Sequence, residues 1–150
     1  MSRAISVFFL LVVTPSMIAP SAIADELKPR LAVLTDIGGD PDDQQSMIRL
    51  MVYSNEFNIR MLAATAAGTK GELKEAITRA DLIHEIVAGY AKVLPQLQNH
   101  ANGWPAVEHL KGCIVSGNKN RGREFVGDDH DTDASKRLMA EIEAATPQDP

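Results

Sequence analysis

Residues 31–34 form a short, unbroken apolar run that stops at Thr35 and Asp36. A run of this kind suits a strand of a parallel sheet buried on both faces. A glycine-rich acidic turn follows. Residues 43–53 then carry Met47, Ile48, Leu50, Met51 and Val52 at helical spacing, closed by Ser54 and Asn55. Residues 59–66 read as a second strand. The order strand, helix, strand with short joints is a βαβ unit. Such a unit crosses over right-handed and places both strands in one parallel sheet.

Beyond Gly68 and Gly71 the spacing predicts a long helix over residues 72–93. Leu73, Ile77, Ala80, Ile83, Val87, Tyr90 and Leu94 share one face, and Pro95 ends it. Residues 99–105 read as a loop. Residues 106–115 read as a helix stopped by Gly117, with a strand over residues 113–116 as the alternative. Residues 117–131 are polar and rich in Gly, Asn and Asp, a surface loop. Residues 133–145 are an amphipathic helix with Leu138, Met139 and Ile142 inward. No internal repeat is present. Two strands cannot make a stable sheet covered on both faces. The pattern therefore reads as the N-terminal part of a larger α/β domain, unless Phe125 and Val126 supply a third strand.

The 150 residues are enough for one domain with a real core. The first of them read as a leader instead. Arg3 precedes the apolar residues 5–13, and Ala22 and Ala24 give an A-x-A cleavage site. A signal peptide over residues 1–24 and a domain over residues 25–150 follow, with a secreted or periplasmic location. A membrane anchor would need ~20 apolar residues, and Pro15 and Pro20 interrupt the run too early. The alternative is a buried N-terminal helix. The formal net charge of −5 argues against nucleic acid or an anionic membrane as partner, since no basic stripe exists to release counterions. Cys113 is the only cysteine, so an internal disulfide and thiolate-type structural zinc are both excluded.

The candidate chemistry sits in the acidic turn. Asp36, Asp40, Asp42 and Asp43 stand where the first strand hands over to the helix. Like charges this close raise one another's pKa, and a hard cation with oxygen ligands would offset that cost. Capping is the competing explanation, because aspartate at a helix start satisfies orphan N–H groups. One or two aspartates would need nothing more; four exceed what capping requires. Ligands of open parallel sheets bind outside the carboxyl ends of the strands, which puts Thr69 and Lys70 in reach of the same crevice. Lys70 reads more simply as a solvated charge. The acidic residues 128–133, with His130 among them, match no calcium loop and read as a solvated stretch running into an N-cap at Thr132 or Asp133. His84 falls on the apolar helix face as a core histidine. His100 and His109 lack partners in sequence, and Trp104 reads as packing beneath its loop. Dinucleotide, P-loop and nucleophile-elbow motifs are all absent.

The segment from Leu34 to Gln45 (LTDIGGDPDDQQ) resembles the aspartate motif of nucleoside hydrolases, D-T-D-P-G-x-D-D. It is closer to the nucleoside-hydrolase-like domain of some secreted cellulose-binding proteins, with T-D-I at residues 35–37, P-D-D-Q-Q-S at 41–46 and Y-S-N-E-F at 53–57. The resemblance implies a Rossmann-like open parallel sheet of the nucleoside hydrolase type. It implies a Ca²⁺ held partly by Asp36 and Asp43, with Asp36 also the base toward water and Asp42 on ribose hydroxyls. Two departures stand out. Leu34 occupies the place of the family's first aspartate, and the turn is two residues longer than in true nucleoside hydrolases, so Asp40 competes for a ligand role.

Two functions follow as expectations. One is hydrolysis of an N-glycosidic bond in a ribosyl substrate by a calcium-bound water. The other is a non-catalytic carbohydrate-binding domain whose partner is a polysaccharide such as cellulose. Homo-oligomers are compatible with either.

Overall fold

A computed structural model describes residues 28–149 of the chain. The expected signal peptide lies outside the described residues. Strand β1 (Arg30–Thr35) leads through the acidic turn to α1 (Asp42–Met51). A single 3₁₀ turn (Ser54–Glu56) leads to β2 (Asn58–Ala64). Helices α2 (Ala80–Leu97) and α3 (Val107–Gly112) precede β3 (Ile114–Ser116). Two 3₁₀ turns (Arg123–Phe125 and Asp128–His130) then lead to α4 (Asp133–Glu143). The three strands form one parallel sheet in the order β1-β2-β3. This is the open parallel α/β architecture that the βαβ pattern predicts.

Central strand β2 carries the core. Ile59, Met61, Leu62, Ala63 and Ala64 are all buried. One face packs Leu62 and Ala64 with Met47 and Met51 of α1, Ile83, Val87 and Tyr90 of α2, and Leu110 of α3. The other face packs Met61 and Ala63 with Val115 of β3 and with Ala134 and Leu138 of α4. Strict alternation would put Ile59 and Met61 on the same face. The register instead slips between Leu31 and Ala32, leaving Arg60 as an extra residue in β2. That bulge reverses the phase, so Ile59 joins the first face and Met61 the second.

The bulge also organises a charge cluster. Glu141 of α4 receives hydrogen bonds from Arg30 at 2.6 Å, Arg60 at 2.8 Å and Arg137 at 2.8 Å. Arg137 donates as well to the carbonyl of bulged Arg60 at 3.0 Å. The Arg30 and Glu141 side chains are only 8% and 11% exposed. Burial alone would raise the Glu141 pKa; the hydrogen bonds from Arg60, Arg30 and Arg137 together outweigh it and hold the carboxyl at about 2.

Several sequence expectations are corrected. The third strand is Ile114–Ser116, not Phe125 and Val126, which lie in and just after a 3₁₀ turn. Residues 106–115 divide between a helix and that strand, so each alternative was half of the answer. Strand β1 is buried on one face only. Leu34 is 58% exposed, because the apolar side of α4 covers β2 and β3. Residues 72–79 are not helical, since the Ile77 carbonyl accepts from Ala67 N at 2.9 Å and the Glu72 carboxylate accepts from Thr69 N at 2.6 Å. Those bonds replace the first turns of a ladder. Pro95 stands inside α2, which runs on to Leu97. There, in the last turn, its missing N–H removes a single bond, and Gln98 N closes the helix on Leu94 O at 3.0 Å. His84 faces solvent. Met139 and Ile142 point outward at 52% and 65% exposure, because the inward stripe of α4 is Ala134, Arg137, Leu138 and Glu141.

Glu141→Gln should lower stability at pH 7 by about 2 kcal/mol, a buried-pair loss discounted because two of the arginines are a third exposed. A carboxyl held below its ordinary 4.5 stabilises the fold above that pH and loses the contribution as pH falls toward 2. Urea melts at pH 7 and pH 3 should show the parent losing more stability on acidification than Glu141→Gln. Parallel losses would remove the cluster from this role.

Candidate functional site

The three strands end at one level, with Thr35 paired to Ala64 and Ala64 to Ser116. The loops beyond them therefore lie side by side. Thr65 N donates to Thr35 O and Gly117 N to Ala64 O, each at 2.8 Å. Gly68 N donates to Asp36 O at 2.7 Å. The acidic turn closes against the loop after β2 so tightly that a Cβ on Gly39 would sit 2.5 Å from Gly68 Cα. Gly38 has φ +114°, where any side chain is strained and a Cβ would meet Arg79 Cγ at 2.6 Å.

The four aspartates divide into two pairs. Asp36 and Asp43 lie within hydrogen-bond reach of each other, and the Thr35 hydroxyl donates to Asp43 at 2.8 Å. Burial raises the Asp43 pKa, and the bond to Asp36 raises it further than the Thr35 hydroxyl lowers it. Asp40 and Asp42 make the second pair, out in solvent. The hydrogen bond with Asp42, then its charge, push Asp40 up to about 6, with burial, Glu72 and Asp36 adding to the shift. Asp42 is lowered, by Asp40 first and then by the N–H of Asp43, which donates to it at 2.8 Å. No side chain caps α1, whose N-cap is Pro41; Asp42 accepts from the N–H of its neighbour Asp43. Asp43 turns back to the strand end, where capping has no use for it.

Arg121 was invisible in the sequence as a member of this site. It stands in the polar loop after β3, and nothing in its local pattern marks it. Its guanidinium donates to Ala66 O at 2.6 Å and lies 4.0 Å from Asp36, so it closes the crevice from the third strand. Beside it opens a cavity of about 460 Å³ between the loops after β2 and β3. Small-molecule sites occupy roughly 300–1,000 Å³. Thr69, Lys70, Lys119, Asn120 and Arg121 line it, and none of the four aspartates does. The acidic cluster adjoins the cavity, and Arg121 is the link between them.

Of the remaining candidates, Thr69, which bonds Glu72, and the exposed Lys70 belong to the cavity lining, as the sequence reading expected of the crevice, and the others stay apart from this site. In residues 128–133, the Thr132 hydroxyl accepts from Ser135 N at 3.2 Å, the cap expected there. His109 bonds Ile59 O at 2.8 Å. Trp104 packs on the core and donates to Ala101 O at 2.9 Å. For a hard cation, the Asp36 and Asp43 carboxylates and the Thr35 hydroxyl supply part of the ~6–8 oxygens calcium takes. Among the described residues no group of three or more His, Cys, Asp and Glu side chains is arranged to hold a metal, so they do not complete such a site. Among the same residues no helix is long and apolar enough to cross a membrane.

Comparison with known proteins agrees with this geometry. Residues 30–150 match the family described as cellulose-binding Sde182, nucleoside hydrolase-like domain. A solved structure of a nucleoside hydrolase-related hypothetical protein from Saccharophagus degradans, described as associated with carbohydrate metabolism, superposes with a TM-score of 0.71 at 29% identity. The match covers 80% of this chain and 28% of that one. No curated protein matches.

Asp40 should titrate at about 6 by carboxyl NMR, and Asp42→Asn should return it toward 3.8. Because its folded value is raised, its contribution to stability is full below 3.8 and is lost as pH rises through about 6. An Asp40 that titrates near 3.8 in both proteins would break the pairing described here.

Proposed function

The chain belongs to the nucleoside hydrolase-like domain family of cellulose-binding proteins, and from that membership we propose that its strand-end crevice binds the hydroxyl groups of a polysaccharide. One observation carries the reading: Arg121 lies beside Asp36 and lines the cavity. The hydrogen bond to Ala66 O anchors the guanidinium, and its remaining N–H groups are donors beside the cavity. Those donors, with Asn120 and Thr69, suit sugar hydroxyls as acceptors. Asp40 and Asp42, exposed at the neighbouring edge, suit them as donors. Export through the leader at residues 1–24 belongs to the same proposal, since a polysaccharide partner lies outside the cell.

A second reading keeps hydrolysis of a ribosyl N-glycoside, favoured by the side-by-side Asp36 and Asp43. There Asp36 and Asp43 would hold a calcium ion, whose chemistry is to orient and acidify water. Asp36 would take the proton, and Asp42 with Asp40 would hold ribose hydroxyls. The described residues leave the cation's shell incomplete, and Arg121 faces the base. Both weigh toward binding.

Calorimetry with cello-oligosaccharides, run beside a reducing-sugar assay on ribonucleosides, separates the two. Binding predicts that Arg121→Met weakens affinity about tenfold, the worth of a charged hydrogen bond. Asp36→Asn should cost under about threefold, since the arginine keeps its bond to Ala66 O. Ribose release that Asp36→Asn abolishes, without oligosaccharide binding, would establish the second reading in its place.

A further inference from the structure

The loop after β3 has more chemistry than Arg121 alone. Residues 117–126 read in the sequence as a polar surface stretch, with a strand at Phe125 and Val126 as the alternative, yet they form a loop that is tied down along its length. Gly117 N donates to Ala64 O at 2.8 Å and Asn120 N to the Asn118 carboxamide at 2.9 Å. Arg121 holds Ala66 O, and Asn118 Nδ2 reaches Phe125 O at 3.4 Å. These bonds set Phe125 in the cavity lining, half-buried, as the aromatic ring among the described lining residues. Its ring stands edge-to-face with His130, centroids 5.9 Å apart and planes at 73°.

We infer that Phe125 is the stacking platform of the crevice, taking the apolar face of one pyranose ring while Arg121 and Asn120 take its hydroxyl edge. The inference rests on the polysaccharide reading and names its recognition chemistry. A pyranose has two chemically distinct aspects. Axial C–H groups make one face apolar and weakly positive, and hydroxyls ring the equator. The face of an aromatic ring carries negative quadrupole density and attracts the first. The cavity offers the same division. Phe125, Leu73, Ala67 and Ala76 are its apolar lining, and Lys119, Asn120 and Arg121 supply donors within six residues of the phenyl ring in sequence. The lining is mixed, with Glu75 and Glu124 as charged acceptors beside those donors, which suits a ligand that has both an apolar face and a hydroxyl edge. His130, packed against Phe125, restricts the ring's orientation before ligand arrives, which reduces the ordering cost of binding.

The test uses the full chain and soluble cellopentaose. Phe125→Ala should weaken binding tenfold or more. Phe125→Leu, which keeps apolar bulk but no π face, should weaken it about fivefold, and Phe125→Trp should bind as tightly as the parent or tighter. In the parent complex, saturating the phenyl protons should transfer to the sugar C–H protons, and that transfer should vanish in Phe125→Leu. A merely structural phenylalanine would give Leu and Trp the same affinity and no transfer to sugar. Parent binding that Phe125→Ala leaves unchanged overturns this inference alone. Absence of cellopentaose binding by the parent overturns the polysaccharide reading with it.

Discussion

The parallel register of β2 is the constraint on which the rest depends. Pairing Thr35 with Ala64 and Ala64 with Ser116 brings three strand ends to one level. Three loops far apart in sequence then have to share one edge of the sheet. The ladder runs past the strands themselves, through Thr65 N to Thr35 O, Gly68 N to Asp36 O and Gly117 N to Ala64 O. Burial of β2 on both faces supports that register. A one-residue slip would turn Leu62 and Ala64 away from the helices that cover them.

The two ends of the sheet handle charge in opposite ways. At the amino end one carboxylate, Glu141, meets three arginines and is held strongly ionised. At the carboxyl end four carboxylates crowd one turn, and two of them, Asp40 and Asp43, have raised pKa values. A group whose charge is supported by its neighbours builds structure. Groups whose charges oppose one another mark a site with something to gain from a ligand, and the strand ends of an open parallel sheet are where ligands bind. The amino-end cluster is therefore read as architecture and the carboxyl-end cluster as a functional edge.

Periodicity and motif revealed β1, α1 and β2 because those signals are local. The apolar run, the acidic turn and the Met47–Met51 face lie within one βαβ unit. The match of residues 35–57 to the nucleoside-hydrolase-like pattern pointed to the family that residues 30–150 match. The failures were long-range in cause. Leu73 and Ile77 have helical spacing, but the Ile77 carbonyl is engaged by Ala67 across the strand end. Met139 and Ile142 fit an inward stripe, but Arg137 and Glu141 occupy the inward face because the bulge at Arg60 gives them partners there. The third strand, offered over residues 113–116 as the alternative to a helix, is only three residues long, too short for a period-2 signal to decide between the two. Arg121 and Phe125 looked like ordinary loop residues, since only the tertiary fold sets one beside Asp36 and both in the cavity.

The central claim is that the carboxyl edge of the sheet is a saccharide-binding crevice. Amide NMR of the full chain during titration with cello-oligosaccharide tests it most directly. The account predicts that shift changes concentrate in residues 36–43, 67–76 and 117–125, the three loops the register assembles. Changes centred on the exposed groove between α1 and α2 at Ile48, Val52 and Val93, or at the arginine cluster around Glu141, would contradict it.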